Sequence, residues 1–102
     1  SGWTGIGCNL LHVGPVDKTK WGFNRINEEY TSWGGGVLVE EISSSKKYHM
    51  WVSENAKKCG MNSWGTNSRC VHSESMDPEG PYTRTGVVFG PMCHEPNVVK
   101  AP

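Results

Sequence analysis

The sequence has no long hydrophobic run and no net charge. Its longest apolar stretch is the short segment Gly36–Val39, which is far too short to cross a bilayer, so no membrane span is expected. Ten lysines and arginines balance ten acidic residues, and the two signs are mixed along the chain. Because a nucleic-acid-binding surface needs a basic patch or stripe, nucleic acid is not expected as a partner.

Sequence motifs of several enzyme classes are also missing. The chain has no Gly-x-Ser-x-Gly, phosphate loop, His-Glu-x-x-His or dinucleotide fingerprint, so no cofactor is predicted. The pairs Cys70-Val-His72 and Cys93-His94 bring soft ligands together, but zinc sites use spacers of two to four residues in each half. No metal site is predicted on this ground. A signal peptide is not visible, and a start at Ser1 without Met favours a processed or truncated chain.

Glycine and proline shape what remains. With 13 glycines and 6 prolines in 102 residues, the chain favours many turns and short strands over helices. The 5 tryptophans suit either a core or a binding cleft, because each has a large apolar area and one N–H donor. A chain of this length allows one domain with one modest core. The predicted fold class is all-β.

The four cysteines are Cys8, Cys59, Cys70 and Cys93. An even number of cysteines in a small, glycine-rich chain predicts two disulfides and an oxidising compartment, so a secreted or extracellular location is expected. Three pairings are open. In one of them Cys59 and Cys70 close a short loop while Cys8 and Cys93 join the ends. Free buried thiols in part of a larger protein are the alternative.

Four strands are predicted near residues 37–42, 48–53, 69–75 and 82–88. The first is a nearly continuous apolar run, and the second and third alternate from face to face. A polar Ser/Lys turn joins the first two strands. The two faces of the second strand carry Tyr48, Met50 and Val52 on one side and His49, Trp51 and Ser53 on the other; one face of the third carries Cys70, His72 and Glu74.

A turn over residues 77–81 separates the last two strands. Pro78 presets φ for a turn, Gly80 allows a positive φ, and Pro81 lacks a ladder donor. Asp77 is predicted to cap this turn. The four strands therefore form an antiparallel meander, whereas residues 1–31 are expected to be an irregular N-terminal segment.

The third strand and its turn also carry a resemblance. The runs Val71-His-Ser-Glu-Ser75 and Asp77-Pro-Glu-Gly-Pro-Tyr82, preceded by Cys59-Gly-Met-Asn-Ser-Trp64 and Thr66-Asn-Ser68, resemble the outer half of a blade in five-bladed β-propellers. The chain is similar over residues 32–102 to carbohydrate-active proteins of the glycoside hydrolase family 43 type. This resemblance implies one four-stranded blade over 32–92, the first strand of the next blade over 93–102, and a larger propeller of which the chain is a segment.

The resemblance also implies a site. Propeller glycosidases place a general acid and a base or nucleophile about 5–10 Å apart at the axial ends of their inner strands. On this basis Glu54 and Glu95 are the candidate catalytic carboxyls. Polysaccharide or oligosaccharide is the expected partner, and the residues expected to bind it are Trp33, Trp64 and His94.

Two departures limit the activity that the resemblance implies. Relatives often have Asp at the head of an inner strand, where this chain has Gly34-Gly35, and the family's base lies in a blade that this sequence does not contain. The isolated chain is therefore expected to be inactive. The alternative function is a non-catalytic extracellular β module, stabilised by disulfides and used in structure or self-association.

Several of these residues also have plain structural interpretations. Glu54 is equally well explained as a loop cap, and His72 more readily as a satisfied core or edge histidine than as a catalyst. Glu95 precedes Pro96, which predicts an extended backbone at a solvated rim. Glu79 is interpreted as an exposed turn residue and Trp51 as a core residue.

Overall fold

The computed structural model describes residues 3–7, 10–11, 23 and 30–102 of the chain. One four-stranded antiparallel sheet dominates it, with the strands in sequence order. The predicted all-β meander is confirmed. The prediction that residues 1–31 are irregular falls mostly outside the described residues. The sheet consists of β3 (Ser32–Ile42), β4 (Ser45–Asn55), β5 (Ser68–Ser75) and β6 (Thr83–Phe89); β1 (Trp3–Thr4) pairs with β2 (Leu10–Leu11).

Between β4 and β5 the chain forms a 3₁₀ turn, Met61–Ser63, and one turn of α-helix, Trp64–Asn67, called α1 here. Asn55 holds this loop closed, because its Nδ2 donates hydrogen bonds to Thr31 Oγ1 over 2.8 Å and to the Gly60 carbonyl over 3.0 Å. In the described part of the chain no helix is long and apolar enough to cross a membrane.

The register of β4 and β5 decides which side chains meet. His49 lies opposite Glu74, Trp51 opposite His72, and Ser53 opposite Cys70. Since directly opposed residues share a face of an antiparallel pair, the alternation predicted for both strands is confirmed. We call this side the histidine face. The other side, called the arginine face, carries Val52, Glu54, Arg69 and Val71.

The core of the sheet is small and unusually polar. Its buried apolar side chains are Val52, Cys70, Val71 and Tyr82, and they are joined by buried polar residues of β4 and β5. Strand β6 leaves Val87, Val88 and Phe89 at least half exposed at its end of the sheet. One sheet without a covering layer in the described residues thus buries little hydrophobic surface.

The hairpin turn before β6 follows the predicted chemistry. Asp77 accepts hydrogen bonds from the Glu79 N–H at its side-chain Oδ1, over 2.9 Å, and from the Gly80 N–H at its carbonyl, over 3.0 Å. Gly80 has φ of +90°, which a glycine adopts without a steric penalty. Tyr82 closes the turn by donating its hydroxyl hydrogen to the Pro78 carbonyl over 3.2 Å.

The disulfide joins Cys70 of β5 to Cys93. Pairing of Cys59 with Cys70, and of Cys8 with Cys93, is therefore wrong. The reason is the path of the chain after β6, which stays beside the start of β5: the Met92 N–H donates to the Ser68 carbonyl over 2.9 Å. Cys59 has no disulfide to any described residue, and Cys8 lies outside the described residues, so a second disulfide stays a prediction.

Residues 91–102 add no strand to the described sheet. This segment instead crosses the start of β3, where Gly36 is close to Pro96 and Asn97. The strand predicted from Asn97 therefore has no ladder with any described strand. The assignment of residues 32–92 and 93–102 to successive propeller blades stays a prediction.

Candidate functional site

Four of the five predicted site residues line one groove at the end of the sheet. This groove has a volume of about 380 Å³ and is lined by Trp33, Met61, Trp64, His94 and Glu95. Trp33 comes from the start of β3 and Trp64 from the start of α1. His94 and Glu95 follow Cys93, so the disulfide ties their segment to β5.

His94 lies between the two tryptophans. Its ring is 4.9 Å from the Trp64 ring in an edge-on arrangement and 6.1 Å from the Trp33 ring. The Nε2 atom is 3.0 Å from the Trp64 carbonyl and 2.6 Å from Ser68 Oγ. A carbonyl oxygen only accepts, so Nε2 carries the hydrogen and Nδ1 holds the lone pair of the matching tautomer. In the described part of the chain, Nδ1 of His94 has no hydrogen-bond partner.

Glu95 has a left-handed backbone, with φ of +46°. The extended conformation predicted from Pro96 is therefore wrong. The Glu95 N–H donates to Ser53 Oγ over 2.7 Å, and this bond fixes the backbone beside β4. Non-glycine residues in this region carry strain and are concentrated at functional sites.

Glu54 lies away from the groove. It is opposite Ser32 at the same end of the sheet, as expected, but the neighbouring pair Trp33–Ser53 faces the other way. Successive residues of a strand point to opposite faces, so Glu54 reaches the arginine face. Its carboxylate is fully buried there and accepts from Arg69 Nε over 2.8 Å and Arg84 Nη2 over 3.1 Å. This geometry favours a structural role for Glu54.

A second cluster lies on the histidine face and was not predicted as a site. His49 Nδ1 is 3.0 Å from His72 Nε2 and 3.5 Å from Glu74 Oε1. The three ligand atoms offered by these residues all lie within 4.8 Å of one another. Trp51 covers the pair, with its ring 4.8 Å from His72 and 6.0 Å from His49.

Hydrogen bonds around the cluster fix its proton positions. Thr85 Oγ1 donates to the His72 carbonyl over 3.1 Å, so Oγ1 accepts from His72 Nδ1–H over 2.6 Å. His72 Nε2 is then the acceptor for His49 Nδ1–H. Glu40 Oε2, a carboxylate oxygen that only accepts, lies 3.0 Å from His49 Nε2. His72 therefore donates from Nδ1 and accepts at Nε2.

The pKa values of two members follow from these surroundings. Burial, together with nearby His49 and Lys47, lowers the pKa of His72, and Glu74 only partly offsets this. The pKa of Glu74 is lowered chiefly by its hydrogen bond from Lys47, whose Nζ is 2.6 Å from Oε2. Near neutral pH, His72 is therefore held neutral and Glu74 ionised.

The cluster opens into a groove of about 850 Å³. Glu40, His49, Trp51 and His72 line its polar side, and Leu38, Val39 and Val88 are among the apolar residues that line it. The alternation of β4 and β5 predicted which face each histidine is on, but it did not predict that the two rings meet. That contact depends on the register between β4 and β5. The sequence does not determine this register, because a long loop rather than a tight turn connects the two strands.

No protein-family model matches this chain, and neither the curated proteins nor the solved structures searched contain a match.

Proposed function

We propose that the chain is a carbohydrate-binding segment of a β-propeller similar to family 43 glycosidases. The observation that carries this proposal is the groove that joins Trp33, Trp64, His94 and Glu95 at one end of the sheet. The resemblance implies a role for each of these residues, and they come from three separate parts of the chain. Their convergence supports the proposed site.

The groove has the chemistry that a sugar needs. A pyranose offers an apolar C–H face and a rim of hydroxyls, which suit an aromatic ring beside a few polar groups. Trp64 is 52% exposed, so its ring is accessible for such a contact. Nδ1 of His94 accepts a hydrogen bond from a hydroxyl, and the carboxylate of Glu95 accepts a second.

Hydrolysis requires more than this groove contains. Glycoside cleavage uses two carboxyl groups across one bond, and Glu95 is the one carboxyl residue lining the described groove. Glu54 is on the other face and is engaged by two arginines. We propose that the 102-residue chain binds saccharide without turning it over, and that Glu95 takes part in catalysis when a longer protein supplies the second carboxyl.

An extracellular location is part of this proposal. The Cys70–Cys93 disulfide supports it, because disulfides persist mainly in oxidising compartments. Polysaccharides of cell walls and of the extracellular space fit the same setting.

Titration with oligosaccharides tests the proposal. Arabinan and galactan oligosaccharides added to ¹⁵N-labelled protein are expected to shift the Trp33 and Trp64 indole N–H signals. The variants Trp64→Ala and Glu95→Gln should weaken binding at least about tenfold, as expected for loss of a central contact. Glu79→Gln, a matched change in an exposed turn, should leave binding unchanged. Equal effects of Glu95→Gln and Glu79→Gln, or indole signals that do not move, would overturn it.

Self-association is the second candidate function, and the apolar end of β6 favours it. Val87, Val88 and Phe89 are exposed on a strand that has no further neighbour in the described sheet. Such an edge is available for pairing with another chain or with the rest of a longer one. Sedimentation velocity of the purified chain tests self-association. A dimer that dissociates into monomers in the Val88→Lys variant supports it, and a monomer at high concentration rejects it.

A further inference from the structure

We propose that His49, His72 and Glu74 form a binding site for a divalent first-row transition-metal ion. The site is on the histidine face, apart from the Trp33–Trp64 groove, and it uses no cysteine. It depends on the pairing of β4 with β5, which sets His49 directly opposite Glu74.

The distances from His49 Nδ1 to the other two ligand atoms suit one ion. Two nitrogens that are each about 2.1 Å from an ion and 3.0 Å apart subtend an angle of about 90° at it. The separation of 3.5 Å between His49 Nδ1 and Glu74 Oε1 corresponds to about 110° with similar bond lengths. Both angles are common in metal coordination. The ion takes the place of the hydrogen between the two imidazoles, and that proton is released to solvent.

The outer contacts are those that metal-binding histidines use. A ligating histidine normally donates its second N–H to a carboxylate, a carbonyl or a similar acceptor, which fixes the tautomer and the ring plane. His49 has Glu40 on its Nε2, and His72 has Thr85 on its Nδ1. The outer contacts thus leave His49 Nδ1 and His72 Nε2, 3.0 Å apart, as the two nitrogens available to the ion.

The donor set defines the class of ion. Two imidazoles and one carboxylate suit zinc, iron, cobalt and nickel rather than calcium or magnesium, which prefer oxygen ligands. The three donors come from one face of the sheet, so the remaining coordination positions open toward the groove above. That groove, of about 850 Å³, admits water or a small ligand to the ion.

Two titrations test the site in the full, untagged chain. Calorimetry with ZnCl₂ is expected to give one bound ion per chain. Addition of CoCl₂ is expected to quench part of the tryptophan fluorescence, because the Trp51 ring lies within 6.0 Å of the His49 ring and 4.8 Å of the His72 ring. The variant Trp51→Phe should bind cobalt with a normal stoichiometry but lose this quenching.

Matched variants separate a built site from surface binding. His49→Gln, His72→Gln and Glu74→Gln should each weaken zinc binding at least about tenfold, and Glu40→Gln by about tenfold through the outer contact. His94→Gln and Glu79→Gln are the controls and should bind as the unaltered protein does. Lys47→Met should bind zinc severalfold more tightly at low salt, because a positive charge beside Glu74 is removed.

Amide spectra recorded for each variant show whether the sheet is intact. The histidine ring signals of the unaltered protein show directly which histidines bind the metal, without any variant. Broadening of the His49 and His72 ring signals by cobalt, with His94 unaffected, supports the site. Absence of zinc binding by the unaltered chain, uniform broadening of all histidines, or equal losses in His72→Gln and His94→Gln would overturn it.

Discussion

The side chain of Glu95 occupies the space that a side chain on Gly34 would need. A Cβ atom built on Gly34 would be 2.7 Å from Glu95 Cγ, and Gly34 itself has φ of +50°. Gly34 is the extra residue of a bulge between Trp33 and Gly35. The C-terminal segment crosses the sheet at this bulge. The glycine at position 34 is what lets Glu95 reach the groove.

Gly34→Ala is accordingly expected to destabilise the protein and to displace Glu95. The left-handed backbone alone costs a non-glycine residue about 1 to 2 kcal/mol, and the close contact adds to this. Urea unfolding measures the loss in the free energy of unfolding. Saccharide titration measures whether the displaced Glu95 weakens binding in the groove. Gly86→Ala is the control, since a Cβ there meets nothing within 4 Å. Equal stability of the two variants would contradict this account.

Glu54→Gln is expected to lower the free energy of unfolding by about 2 to 3 kcal/mol. Removing one member of a buried ion pair costs about 3 to 5 kcal/mol, and the cost here is smaller because Arg69 and Arg84 side chains are 25% and 23% exposed. Chemical denaturation at neutral pH measures it. Glu79→Gln should change stability very little. If Glu54→Gln weakened saccharide binding while leaving stability intact, a structural role for Glu54 would be excluded.

The Cys70–Cys93 disulfide is expected to contribute about 2 to 4 kcal/mol to stability. It closes a loop with a sequence separation of 23 residues and ties His94 and Glu95 to β5. Cys93→Ser should therefore lower stability and reduce saccharide binding together. Peptide mapping without reductant should recover residues 70 and 93 in one linked fragment. A linked fragment containing Cys59 and Cys70 would contradict the structure.

The strands could be predicted from sequence because their signals are local. Alternation over residues 48–53 and 69–75, and the Pro78–Gly80 turn chemistry, act over a few residues. The side of the sheet that Glu54 faces could also be predicted, because Glu54 follows Ser53 in the strand and therefore points to the opposite face. Contacts that depend on register, or on distant segments crossing each other, could not be predicted. The His49–His72 pair and the Cys70–Cys93 disulfide both require knowing how segments about twenty residues apart align.

Acidification is expected to destabilise the metal-free protein through His72. The pKa of His72 is lowered by burial and by the nearby charges of His49 and Lys47, with Glu74 opposing, so the unfolded chain takes up this proton at a higher pH than the folded one. Stability from this group is therefore fully present above about pH 6.5, the ordinary histidine value, and is lost as the pH falls through the lower folded pKa.

Unfolding free energies measured with EDTA at pH 7.5 and pH 5.5 test this. The decrease between the two should be larger in the unaltered protein than in His72→Gln, because the variant lacks the titrating ring. Glu74 contributes nothing to this comparison, since its pKa is lowered from 4.5 and its loss of stability falls at more acidic pH. Between pH 8.5 and pH 7.5, His72 stays neutral in both the folded and the unfolded chain. The unfolding free energies of the unaltered protein and of His72→Gln should therefore change equally with pH in this range. An equal or steeper acid dependence in His72→Gln would show that the ring is not held neutral by the fold.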